Sequence, residues 1–123
     1  MESGNSNLRV ALYCRVSTEE QREGQTIDSQ VNELERFAAE NGWVRVGTYC
    51  DEGWSGSLLA RPELDRLRDD ASKKLFDAVL INDVDRLARD VSHLGVIKRD
   101  LERLGVRVIF RKLPESRAQL IIS

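Results

Sequence analysis

No stretch of the sequence is apolar for long enough to cross a bilayer, and the opening MESGNSN has neither the basic start nor the apolar run of a secretory signal. A cytoplasmic location and no membrane partner are therefore expected. Histidine occurs once, as His93, and cysteine twice, as Cys14 and Cys50. Without a CxxC spacing or a second histidine there is no zinc framework, and no metal site is expected. The two cysteines end two predicted strands and read as buried free thiols of a reducing compartment. Acyl transfer by a Ser-His-Asp arrangement is a poor fit too, because His93 falls inside a helical pattern, well past the loops where such a base is needed.

What is present bounds the molecule from the other side. A length of 123 residues suits one domain with one core, and 41% hydrophobic with 33% charged residues is the balance of a water-soluble globular chain. The net charge of −2 argues against a surface that attracts nucleic acid everywhere. That total conceals an asymmetry: residues 1–60 carry 5 basic and 10 acidic side chains, whereas residues 61–123 carry 14 and 11. Of the 19 cations 15 are arginine, whose planar fork matches phosphate oxygens. Most of these are ordinary helix-surface residues, so only arginines at special positions carry weight.

Along the chain, apolar and helical periodicities alternate. LRVALYC (8–14), WVRVGTYC (43–50), FDAVLIN (76–82) and VRVIF (106–110) read as strands. Between the first two, Ile27, Val31, Leu34 and Ala38 recur at helical spacing, stopped by Asn41-Gly42. A second helix starts at Pro62 with Leu64, Leu67 and Ala71 on one face, and a third runs from Arg86 to Leu104, with Gly105 just past its end. This alternation predicts an α/β protein, a three-layer α/β/α sandwich with a mostly parallel sheet. Residues 1–7 are expected to be a disordered tail, and 8–123 a single domain.

In such a sheet ligands bind beyond the carboxyl ends of the strands. There the chain presents Arg15, Ser17, Thr18 and Gln21 after the first strand, Asp51 and Ser55 with nearby Arg61 after the second, and Asp83, Asp85, Arg86 and Arg89 after the third. Alternation puts Tyr13, Arg15 and Ser17 on one side, and three-residue spacing puts Arg86 and Arg89 on one helical face. A hydroxyl among permanent cations suits attack on a phosphodiester. Asp85, Asp51 or an arginine would have to manage the serine proton, and the sequence leaves that choice open. Each signal has a plain reading as well: Thr18 and Gln21 fit a T-x-x-Q capping box, Ser17 alone is a turn residue, DVDRLAR is a solvated helix start, and Trp43 and Trp54 are packing residues. What gives these residues weight is their coincidence at one rim.

In series, Y-x-R-x-S-T-x-x-Q at Tyr13 to Gln21, Gln30, D-x-x-x-S-G from Asp51, R-P at Arg61 and D-R-L-x-R at Asp85 to Arg89 resemble the catalytic domain of the serine recombinases, the resolvase and invertase family, and most closely its large-integrase branch. The resemblance covers Leu8 to Phe110. It implies a sheet of about five strands and DNA as the substrate. Ser17 would become joined to a DNA phosphate without metal, ATP or other cofactor. Arg15, Arg86 and Arg89 would hold that phosphate, with Tyr13, Gln21, Gln30, Asp51, Ser55, Arg61 and Asp85 ordering the pocket. Family members continue into a long dimerisation helix and DNA-binding domains. A homodimer and tetramer are thus expected of the full-length protein, and a monomeric or weakly associated, weakly DNA-binding catalytic core of this chain. A bacterial or phage origin is also implied. The main rival is a Toprim-like magnesium-dependent nuclease or primase using Asp83 and Asp85, and a remoter one is a non-catalytic flavodoxin-like interaction domain.

Overall fold

The computed structural model of the chain describes residues 8–54 and 61–112. Its elements are β1 (Arg9–Val16), α1 (Thr18–Arg22), α2 (Ile27–Glu40), β2 (Val44–Glu52), α3 (Pro62–Ser72), β3 (Ala78–Ile81), α4 (Val84–Leu87), α5 (Val91–Arg103) and β4 (Arg107–Phe110). The strands form one parallel sheet in the order β2-β1-β3-β4. Four strands are present among the described residues, where the resemblance implied about five. The predicted tail, Ser55 and the stretch after Lys112 lie outside the described residues.

β1 is central because both of its faces are apolar. Alternate residues Val10, Leu12 and Cys14 point to one side, where Leu34 and Ala38 of α2 pack with Leu80. Ala11 and Tyr13 point to the other, where Leu64 and Leu67 of α3 and Leu94, Ile97 and Leu101 of α5 close a larger core. These two clusters give the three layers. Among the described residues no helix is long and apolar enough to cross a membrane.

The glycines predicted to stop two helices do so by one mechanism. Gly42 and Gly105 have φ of +73° and +81°, and the following amides, Trp43 and Val106, donate back to Ala38 and Leu101. Both ends are Schellman motifs, which satisfy carbonyls the helix leaves unpaired. The predicted helix from Arg86 to Leu104 is instead two helices. Ala88 is extended, with φ −160°, and Asp90 caps α5 by accepting from Ser92 N–H at 2.8 Å. An N-cap requires extended backbone, so the Asp90 cap ends the preceding turn.

Cys14 and Cys50 are register partners on β1 and β2, and both are free. Hydrogen bonding to Cys50, together with burial, pushes the Cys14 thiol up, while the same bond pushes Cys50 down.

Leu80 is fully buried in β3, whereas Val46 on β2 is 45% exposed. Leu80→Ala should lower unfolding free energy in urea by about 2–5 kcal/mol, and Val46→Ala by less than about 0.5 kcal/mol.

Candidate active site

At its carboxyl end β1 outruns β3. Pairing with β3 stops at Tyr13, opposite Ile81, while pairing with β2 continues to Val16. The peptide of Arg15 therefore lacks a strand on one side, and a buried peptide group needs a partner. Gln30 of α2 supplies it: its Oε1 accepts from Arg15 N–H at 3.2 Å and its Nε2 donates to Arg15 carbonyl at 2.9 Å. Arg86 Nη1 donates to the same carbonyl at 2.8 Å.

The Arg15 side chain is fully buried and binds backbone from two separate connections. Nε donates to Arg86 carbonyl at 3.1 Å, Nη2 to Asp85 carbonyl at 2.8 Å, and Nη1 to Trp54 carbonyl at 2.7 Å. Burial holds it down to about 10, against the pull of the Glu20 carboxylate; the neighbouring cations Arg86 and Arg61 add to the depression. Arg61, also fully buried, donates to Tyr13 hydroxyl at 3.2 Å and to Leu87 carbonyl. Tyr13 donates in turn to Asp51 at 2.7 Å, and burial pushes its phenol far up. Asp51 accepts from the amides of Glu63 and Leu64 at 2.9 and 3.0 Å, which caps α3 from a distance; Arg61, at the N-cap position itself, provides no side-chain cap.

Ser17 stands half-buried at the N-cap of α1. Its Oγ accepts from Glu20 N–H at 3.1 Å, and its own N–H donates to Glu20 Oε1 at 2.9 Å. This reciprocal capping box replaces the one predicted from Thr18 and Gln21. The extended backbone reaches Ser17, so the helix begins one residue earlier in register than that pairing requires. Gln21 turns instead to Glu52 Oε2, at 3.2 Å.

Glu20 then gathers the cations. Its Oε2 lies 2.6 Å from Arg86 Nη2 and 3.7 Å from Arg89 Nη2, and its Oε1 lies 3.7 Å from Arg15 Nη1. Burial opposes ionisation, but the hydrogen bonds from Arg86 and Ser17 and the Arg86 charge outweigh it and hold this carboxyl at about 2. Arg86 also donates to Gln25 Oε1 at 3.2 Å. Because α4 ends at Leu87, Arg86 and Arg89 do not share a helical face as expected; they converge on one carboxylate across the break. Arg89 is the accessible member, its side chain 49% exposed.

The predicted residues thus divide. Tyr13, Arg15, Ser17, Gln30, Asp51, Arg61, Arg86 and Arg89 are linked in one network, Asp85 joins it through its carbonyl, and Gln21 lies to one side. Glu20 and Gln25 escaped the sequence reading. A signal for Glu20 was present, since Ser17-x-x-Glu20 is itself a capping-box pattern; nothing local marks Gln25. Asp83 caps α4 by accepting from Arg86 N–H at 3.3 Å, and among the described residues no three His, Cys, Asp or Glu side chains gather as a metal site. A polar cleft of about 440 Å³ opens beside Arg86, bordered by Gln25, Gln30, Asn82, Asp83 and Lys112. It lies beyond the carboxyl ends of β1 and β3, the parallel neighbours between which the strand order reverses, and such a switch point is where α/β sheets bind ligands.

The model of the resolvase N-terminal domain family matches residues 10–120. A Bacillus subtilis protein named as a DNA recombinase is 45% identical over 102 residues, 82% of this chain and 20% of the relative. A Sinorhizobium fredii protein named as a DNA-invertase is 40% identical over 113 residues, 92% of this chain and 32% of the relative. The chain thus spans a third or less of these relatives. Among solved structures, the N-terminal catalytic domain of TP901-1 integrase superposes with TM-score 0.76 at 38% identity, covering 83% of this chain and 75% of that one. A resolvase family site-specific recombinase from Streptococcus pneumoniae gives 0.75 at 29% identity, covering 94% and 81%.

Glu20 is held below its ordinary value of 4.5. Its stabilisation is therefore present above about pH 4.5 and lost as pH falls towards 2, a contribution on the order of 3 kcal/mol. Urea midpoints measured from neutral pH down to about pH 2.5 should fall less steeply for Glu20→Gln than for the wild type.

Proposed function

The chain belongs to the resolvase N-terminal domain family, and on that premise we propose that it is the catalytic module of a serine site-specific DNA recombinase. In this reading Ser17 Oγ attacks a DNA phosphorus. One phosphorus–oxygen bond to serine forms as the ester bond to the departing strand breaks, leaving that strand a free hydroxyl. Because one phosphoester replaces another, bond energy is retained, and the hydroxyl of a new strand reverses the step without ATP, metal or cofactor.

The observation that carries the reading is the convergence on Glu20: the Ser17 amide, Arg86 and Arg89 all reach one buried anionic group. A site that surrounds a carboxylate with guanidinium and amide donors is built to neutralise negative charge, as a phosphoryl transition state needs. Arg86 and Arg89 are proposed to hold the non-bridging oxygens. Arg15, which donates to backbone carbonyls, and Arg61, which donates to the Leu87 carbonyl and the Tyr13 hydroxyl, were expected from the sequence at or near the phosphate and are assigned to positioning. Asp51 is occupied by Tyr13 and the α3 amides; Asp85, exposed on α4 beside Arg86, is the carboxylate proposed for proton transfer.

DNA is the proposed substrate and the full-length protein the proposed dimer and tetramer, with this chain alone binding DNA weakly. The bacterial sources of the relatives support the expected bacterial or phage origin.

Ser17 serves both as cap and as proposed nucleophile, so Ser17→Ala should cost about 1 kcal/mol of stability as well as the chemistry. Ser17→Asn retains a capping side chain and separates the two. In a longer protein containing this chain, incubated with a suicide DNA substrate in EDTA, wild type should give a covalent adduct mapped to Ser17. Neither variant should give one, and Ser17→Asn should keep the wild-type melting temperature. An adduct on either variant reassigns the nucleophile. Arg89→Ala should slow adduct formation roughly hundredfold with little change in stability, because it removes an exposed donor.

A further inference from the structure

Among the described residues, the side chain with the largest concentration of charge around it is Glu20. It is 7% exposed, yet both its oxygens are in use: Oε1 by the Ser17 amide, Oε2 by Arg86, with Arg89 and Arg15 each at 3.7 Å. Guanidinium forks and a backbone amide around two oxygens of one anion are also the donor set for a phosphodiester, whose two non-bridging oxygens share one negative charge. We infer that Glu20 is an internal stand-in for the scissile phosphate: in the DNA-free chain its carboxylate holds the anion position beside Ser17, and DNA phosphate takes that position by displacing it. This rests on the reading of Ser17, Arg86 and Arg89 as the phosphate site.

Three features fit displacement better than permanent scaffolding. The exchange replaces one unit negative charge with another, so the buried cations never lose their counter-charge. Glu20 is the only buried residue of α1, and Thr18, Glu19, Gln21 and Arg22 are exposed. Releasing it therefore uncovers no apolar surface of that helix. Arg89 contacts it only at 3.7 Å, without a hydrogen bond, and is half exposed, so one of the cations is already open to an incoming anion. Glu20 is thus a positioning residue that keeps the cations gathered and at the same time competes with the substrate.

Glu20→Gln isolates the charge, because glutamine at this helix position makes the same capping box with Ser17. The test is binding of this chain to a fluorescent 20-base-pair DNA duplex across a salt series. The variant should bind about tenfold more tightly than wild type at low salt, and its log-affinity should fall more steeply with log salt by about one unit, because the phosphate then displaces a salt counter-ion from the arginines instead of a tethered carboxylate. Arg89→Ala in the Glu20→Gln background should abolish most of the gain. Equal or weaker binding by a folded Glu20→Gln, with an unchanged salt slope, overturns the inference and makes Glu20 a scaffold. Should the variant not fold, the wild-type chain answers by NMR. On adding the same duplex, the Ser17 amide and the Arg86 and Arg89 guanidinium signals should shift together, whereas arginine shifts with a static Ser17 amide overturn displacement. Failure of the underlying function looks different: Arg89→Ala then leaves wild-type DNA affinity unchanged, and no adduct forms on Ser17 in the longer protein.

Discussion

Burying Arg15 at the end of β1 removes a permanent cation from water, and such a group is tolerated only where acceptors and a counter-charge meet it. Those acceptors are the carbonyls of Trp54, Asp85 and Arg86, one on the connection after β2 and two on α4, and the nearest counter-charge is Glu20. One side chain thereby ties together the loops that follow three strands. The same demand for satisfied polar groups brings Gln30 against the Arg15 peptide and sets the height at which α2 docks.

Around this anchor the arginines grade from structural to available. Arg15 and Arg61 are fully buried and hold backbone; Arg86 divides its donors between a carbonyl and Glu20; Arg89 reaches the surface. The inner pair makes the site rigid, and preorganised donors are effective because they need not reorient as charge develops. The outer pair supplies the contact. Around Glu20 itself three guanidiniums, those of Arg15, Arg86 and Arg89, meet one carboxylate, a local positive excess in a chain that is slightly acidic as a whole. That local excess is how a protein of net charge −2 can present a site for a polyanion.

Several features were open to a reading of the residues. The uniformly apolar runs marked the buried parallel strands, the glycines after α2 and α5 marked their ends, and Pro62 marked the first turn of α3. The rim of the sheet followed from β/α alternation alone. Other features were not. The helix predicted from Arg86 to Leu104 breaks because an extended Ala88 and an Asp90 cap compete with an apolar periodicity that runs through both halves. The choice between Ser17-Glu20 and Thr18-Gln21 as capping pair depends on how far β1 stays extended, which is decided by its pairing with β2 rather than by local preference.

By itself, then, the sequence determined the order and kind of the elements, the end of the sheet that carries the chemistry, and the resemblance that named its residue set, since these depend on periodicity and on motifs local to each turn. Only the tertiary structure decided which arginines face inward and which outward, that Asp51 caps a helix thirteen residues on, and that Glu20 sits at the centre of the cations. Those outcomes turn on which carbonyls and carboxylates are left unpaired once separate strands are aligned, and no segment of chain contains that information before the sheet has formed.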